Sequence, residues 1–131
     1  MKYLIDTCVY IWIITNNQQR ISKKAQEILS DAENNSFYVS IISQIETTIK
    51  HHKFGIAGMN LPIINYYQQV RIKTGIDLLG LEQEDIATLA KLPKIHNDPF
   101  DKLLISQALN NNMTIVSPDK KFEKYPVRVI Y

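Results

Sequence analysis

Short apolar runs alternate along the chain with longer stretches whose apolar positions recur every three or four residues. That is the pattern of parallel strand–helix–strand units. Tyr3-Leu4-Ile5 reads as a buried strand that stops at Asp6, with Thr7 as the expected N-cap of a helix over residues 8–14. Ser22 is the expected cap of a second helix, where Ala25, Ile28, Leu29 and Ala32 repeat at helical spacing. Phe37-Tyr38-Val39 reads as a second strand, and Ser40 begins a helix that places Ile41, Ile42, Ile45 and Ile49 on one apolar face. That helix runs out in Lys50-His51-His52-Lys53, before a loop marked by Gly55 and Gly58.

Pro62 opens a helix to about Thr74, followed by a strand over 76–79 that buries Asp77. Residues 82–92 start acidic and end in lysine, as the helix macrodipole favours. Asp98-Pro99 is an N-cap followed by proline at the first helical position, opening a helix that stops at Asn110-Asn111-Asn112. Thr114-Ile115-Val116 and residues 127–130 are the last strands. The order predicts a three-layer α/β/α sandwich with a central, mainly parallel sheet.

At 131 residues, the chain is expected to form one domain around one core. Hydrophobic residues make up 45% and charged residues 21%, the balance of a soluble globular protein rather than a disordered one. The longest apolar run, residues 8–14, is too short to cross a bilayer, and the three apolar residues between Lys2 and Asp6 make no secretory signal. A lone cysteine, Cys8, excludes an internal disulfide and a cysteine-based zinc cage, and fits a reducing cytoplasm. A net charge of +2 permits a nucleic-acid partner without requiring one.

Thirteen residues are acidic, and five stand out by position. Asp6 directly follows one strand and Asp119 follows another by two residues, in Val116-Ser117-Pro118-Asp119. Open parallel sheets bind ligands beyond the carboxyl ends of their strands, where two such acids can meet. Glu46 interrupts the apolar face between Ile45 and Ile49, and Asp98 and Asp101 lie at the mouth of their helix. If Asp6, Glu46, Asp101 and Asp119 converge with Asp98 near them, they cannot all stay ionised unaided. A hard divalent cation resolves the conflict, and all-oxygen ligation suits Mg²⁺ or Mn²⁺. Each acid also has a purely structural explanation. Glu46 fits a capping box with Ser43, Asp98 and Asp101 fit a helix start, and Asp119 fits the cap of a short turn. Asp6, an acid that ends a buried strand, is the hardest to explain in that way.

These segments resemble the PIN-domain family, and within it the VapC-like toxins of bacterial toxin–antitoxin pairs. The resemblance rests on Tyr3-Leu4-Ile5-Asp6-Thr7-Cys8, on Tyr38-Val39-Ser40 with Ile45-Glu46 and Ile49-Lys50, on Leu92-Pro93 through His96-Asn97-Asp98-Pro99-Phe100-Asp101-Lys102-Leu103-Leu104-Ile105, and on Ile115-Val116-Ser117-Pro118-Asp119 with Phe122. Ser117 stands where threonine is commoner, and Gln44-Ile45 replaces a frequent aromatic residue. Asp101 matches the family's third acid, which leaves Asp98 as an accessory ligand or a cap.

The resemblance implies a metal-dependent ribonuclease whose catalytic acids are Asp6, Glu46, Asp101 and Asp119. Asp6, Asp101 and Asp119 are the expected direct ligands of Mg²⁺, or of Mn²⁺ in its place. Glu46 is expected to bind metal through water or to activate the nucleophile, and Thr7 or Ser117 to support a ligand carboxylate or a phosphate. Lys50 and Lys102, with Lys53, Lys94, Lys120 and Lys121 near the same motifs, are candidates for the RNA backbone. The family also implies a homodimer, for which Tyr10, Trp12, Ile13 and residues 63–67 offer apolar surface, and a cognate antitoxin. His51, His52 and His96 lack zinc-site spacing and are expected at the surface or in loops. Two other readings stand beside this one. A receiver-like signalling domain would need paired acids after the first strand, where only Asp6 is present. A non-catalytic PIN-like binding module would not need the acids.

Overall fold

Strand β1 (Lys2–Ile5) lies at the centre of the sheet and pairs in parallel with β2 (Ser36–Ser40) on one side and β4 (Thr114–Val116) on the other. The computed structural model describes residues 1–131. Its sheet has the order β3-β2-β1-β4-β5, with β3 at Asp77–Leu79 and β5 at Val129–Ile130, and every pairing is parallel. The chain leaves β1 towards β2 and β3, then returns to the opposite side as β4 and β5. The order in which the chain adds strands therefore reverses between β1 and β4, the place where open α/β sheets leave a crevice at their carboxyl edge.

Strand alternation assigns the two faces. Tyr3, Ile5, Phe37, Val39 and Val116 bury one face beneath α1 (Thr7–Ile14), α2 (Lys23–Ser30) and α4 (Ile63–Thr74). Leu4 and Ile115 bury the other against Ile42 of α3 (Ile41–Phe54) and Leu104, Ile105 and Ala108 of α6 (Pro99–Asn110). Side chains of successive strand residues project to opposite faces, so one strand serves two cores. Helix α5 (Gln83–Leu89) ties to α6 through Asp85, whose Oδ1 accepts from Asn110 Nδ2 at 2.8 Å. The three-layer sandwich expected from the sequence is the observed architecture.

Local chemistry explains where the helices begin and end. Ser40 Oγ accepts from Ile42 N–H at 3.0 Å to start α3, and Asp98 caps α6 with Pro99 at its first position. Gly75 ends α4 at φ 70°, a left-handed conformation that glycine adopts without a Cβ penalty.

Several expectations are corrected. Asp6, not Thr7, is the N-cap of α1; Thr7 is its first helical residue. Ile45 and Ile49 are 43% and 42% exposed, because α3 turns Ile42, Ser43 and Thr47 inward instead. Tyr10 and Ile13 lie in the core and are unavailable as an outer surface. Asp77 is exposed on edge strand β3, where it pairs with Arg71 at 3.8 Å. The helix expected over 82–92 is shorter, with Glu82 as its cap, and the final strand covers only Val129 and Ile130.

Candidate active site

Asp6 lies where β1 gives way to α1, at the seam with β4. Its backbone N–H continues the β1–β4 ladder to Val116 O at 3.1 Å. Its side chain is buried and saturated with donors. Oδ1 accepts the Thr7 N–H at 2.7 Å, and Oδ2 accepts Ser117 Oγ–H at 2.6 Å and Cys8 Sγ–H at 3.3 Å. Burial pushes the Asp6 carboxyl above its ordinary range; the three hydrogen bonds oppose that shift, and the Asp119 charge adds to it. A carboxylate placed here is electrostatically costly, yet the fold supplies three donors to keep it.

Ser117 joins two of the acids. While its hydroxyl donates to Asp6, its oxygen accepts the Asp119 N–H at 3.0 Å. Asp119 in turn caps the 3₁₀ turn Lys120–Lys124, accepting from Lys121 N–H at 2.9 Å through Oδ1. Lys121 Nζ stands 4.0 Å from Asp119 Oδ2.

Glu46 is in the second turn of α3. Because α3 starts at Ile41 with Ser40 as cap, the Ser43–Glu46 capping box does not form, and the structural explanation for Glu46 disappears. Burial is the main cause that raises its carboxyl, with the charges of Asp98 and Asp6 adding to it; a hydrogen bond from Thr7 and the charge of Lys50 lower it. Thr7 Oγ1 also pairs with the buried Ser43 Oγ at 3.0 Å, a contact in which Ser43 can donate. Thr7 thus links the start of α1 to the acid-bearing segment of α3.

Asp98 and Asp101 enter from α6. Asp98 Oδ1 accepts from Phe100 N–H at 2.9 Å and Asp101 N–H at 3.3 Å, the cap expected of it. Asp101 has a carboxyl pushed up to about 7, first by burial and then by the charges of Asp98, Asp6, Glu46 and Asp119. Asp101 therefore senses the other four acids singled out from the sequence. They are gathered within charge range rather than coordination range, since no three side chains close on a common point that could hold an ion.

The donor set fits a hard divalent cation on chemical grounds. It consists of carboxylate oxygens, and Asp101 holds a raised carboxyl first because it is buried and then because four acidic neighbours add their charge. Lys50 is exposed one turn beyond Glu46, and Lys102 follows Asp101 in the first turn of α6. Neither lies within ion-pair distance of a carboxylate. The sequence reading missed Cys8 as a donor to Asp6 and, while expecting His96 in a loop, where it lies, missed its approach to Asp101. His96 is largely buried, with Nε2 3.3 Å from Asp101 Oδ2 and Nδ1 2.6 Å from the Tyr125 hydroxyl. His51 has a structural task, accepting the Ile56 N–H at 3.0 Å after the end of α3.

An α/β/α sandwich with acids gathered at the carboxyl edge of a parallel sheet, beside its switch point, defines the class. The chain belongs to the PIN domain family, whose model matches residues 3–127. Its fold is similar to that in the crystal structure of VapBC2 from Rickettsia felis bound to a promoter DNA fragment, with TM-score 0.70 and 16% identity over 99% of this chain and 98% of that one. It is similar also to DNA-bound VapBC from Salmonella typhimurium (TM-score 0.69, 14% identity, 99% and 97% covered). FitAcB from Neisseria gonorrhoeae is a third such structure (TM-score 0.62, 16% identity, 98% and 96% covered). No curated protein matches the sequence. Membership of the PIN family sets aside the receiver-like alternative. No helix is long and apolar enough to cross a membrane.

Proposed function

We propose that this chain is a VapC-like toxin: an endoribonuclease that uses Mg²⁺ or Mn²⁺ to hydrolyse RNA phosphodiester bonds and is silenced by a cognate antitoxin. The observation that carries this reading is the set of acids at the carboxyl edge of the sheet in a PIN-family chain, with Asp6 and Asp119 joined through Ser117 and Asp101 set beside Asp98. A bound divalent cation supplies nucleophile activation and charge neutralisation at the scissile phosphate. Asp6, Asp101 and Asp119 would hold it. Asp98 contributes charge and caps α6.

Glu46, with its carboxyl raised, is suited to take a proton from the attacking water. Thr7 and Ser117 hold the carboxylates of Glu46 and Asp6 in place. Lys50 and Lys102, unpaired beside the acids, hold the RNA backbone. The toxin acts in the cytoplasm as a homodimer. With Tyr10 and Ile13 in the core, the apolar surface available for association includes Ile45, Ile49, Leu61 and Ile64. The VapBC and FitAcB structures, toxin–antitoxin assemblies of similar fold, support the antitoxin assignment.

The deciding experiment is cleavage of total RNA by the purified chain, with Mg²⁺, with EDTA, and after Mg²⁺ is restored. Cleavage should stop in EDTA, return with the metal, and be abolished by Asp6→Asn or Asp119→Asn in folded protein. Mg²⁺-dependent activity retained by Asp6→Asn, or cleavage indifferent to EDTA, overturns the reading.

A further inference from the structure

His96 lies in the loop between α5 and α6, five residues before Asp101 and outside the helix that carries it. Its imidazole is held at both ends. Nδ1 and the Tyr125 hydroxyl are 2.6 Å apart, and the two rings pack edge-on with centroids at 5.4 Å. Nε2 is sealed from solvent and makes no straight hydrogen bond; the carboxylate within ion-pair distance of it is Asp101, with Oδ2 at 3.3 Å. With Asp101 ionised, the arrangement that opposes no lone pairs has Tyr125 donating to Nδ1 and the Nε2 proton facing Oδ2.

We infer that His96 is a positioning residue for Asp101, held by Tyr125, and that the trio sets how the third acid meets a divalent cation. The inference rests on the metal-nuclease reading above and adds to it a residue outside the acid set. The backbone and the side chain of Asp101 are fixed separately. Asp98 Oδ1 receives the Asp101 N–H and sets where the residue starts. His96 faces Oδ2 at 3.3 Å and sets how the carboxylate turns. Tyr125 follows the 3₁₀ turn that Asp119 caps, so the trio also ties the segment of the fourth acid to that of the third.

Packing alone does not explain this histidine. Tyr125 is buried among Leu104, Phe122 and Met113, where an apolar ring would pack without an orphaned nitrogen. Groups that orient a metal-binding side chain typically change metal affinity or activity ten- to a hundredfold when removed.

The test uses Mn²⁺ alone as the first probe, by titration calorimetry on the full chain, and RNA cleavage kinetics as the second. His96→Ala should weaken Mn²⁺ binding about tenfold or more and lower kcat, with KM for RNA little changed. His96→Gln, which keeps an N–H donor, should recover part of both losses. Tyr125→Phe, which keeps the ring and removes only the hydroxyl, should fall between wild type and His96→Ala. Folded His96→Ala with wild-type Mn²⁺ affinity and kcat overturns the inference and leaves the nuclease reading standing. A wild-type chain that neither binds Mn²⁺ nor cleaves RNA overturns both. Should His96→Ala fail to fold, Tyr125→Phe decides: weakened Mn²⁺ binding supports the inference, and unchanged binding overturns it.

Discussion

Ser117 Oγ donates to Asp6 Oδ2 at 2.6 Å across the β1–β4 seam while its oxygen accepts the Asp119 N–H at 3.0 Å. One hydroxyl thus holds the carboxylate of the first acid and the backbone of the fourth, residues more than a hundred positions apart in the chain. Ser117→Ala removes a donor from a buried carboxylate, a loss of about 1–3 kcal/mol. The expected outcome is a lower melting temperature and reduced cleavage, with Ser117→Thr close to wild type in both. Thermal unfolding of the two variants side by side checks this. Equal destabilisation by Ala and Thr would assign the effect to the methyl-sized change in packing rather than to the hydroxyl.

Asp101 predicts how metal-free stability depends on pH. Its carboxyl stands at about 7 in the folded chain against 3.8 ordinarily, so between these values the native state holds protons that the unfolded state has released. Stability of the metal-free protein therefore falls as pH rises from about 4 to 7 and levels off above 7. Asp6 and Glu46, both raised, act in the same direction. Asp101→Asn should flatten that slope and, in EDTA at pH 7.5, melt a few degrees above wild type. Mg²⁺ should reverse the order by stabilising wild type more. Melting curves in EDTA from pH 4.5 to 8 that show parallel slopes for the two proteins would refute the electrostatic account of the cluster.

Association is expected through apolar residues that α3 and α4 leave exposed. Ile45 and Ile49 are on α3, and Ile64, 55% exposed, is on α4. Sedimentation at micromolar concentration should give a dimer, and Ile64→Lys should shift it towards monomer without lowering the melting temperature of the monomer. A wild-type monomer at that concentration excludes the homodimer.

The acid cluster also offers an antitoxin a place for one cation. An arginine from a flexible tail pairs with carboxylates through a planar fork, so it can occupy the position a metal would take. Inhibition by the cognate antitoxin should weaken as Mg²⁺ rises. Co-expression with the neighbouring small open reading frame should relieve any growth arrest and yield a co-purifying complex. Arrest that the neighbour neither relieves nor binds rejects that partner while leaving the nuclease intact.

Local chemistry in the chain determined the order of strands and helices, the caps at Ser22, Ser40 and Asp98, and the five acids, because each depends on residues within a few positions of one another. Strand alternation determined which of Tyr3, Leu4 and Ile5 faces which layer, once a sandwich was assumed. Tertiary structure decided the rest. A helical period says that α3 has a face, not which neighbour covers it; burial fell on Ile42, Ser43 and Thr47, and Ile45 and Ile49 stayed in solvent. The N-cap of α1 passed from Thr7 to Asp6 because the pairing of β1 with β4 fixes Asp6 in extended conformation at the helix mouth. His96 became a neighbour of Asp101 only because Tyr125 arrives from 29 residues further along to hold it. Contacts made by chain segments far apart in sequence leave no periodic signal, and on such contacts the geometry of this site depends.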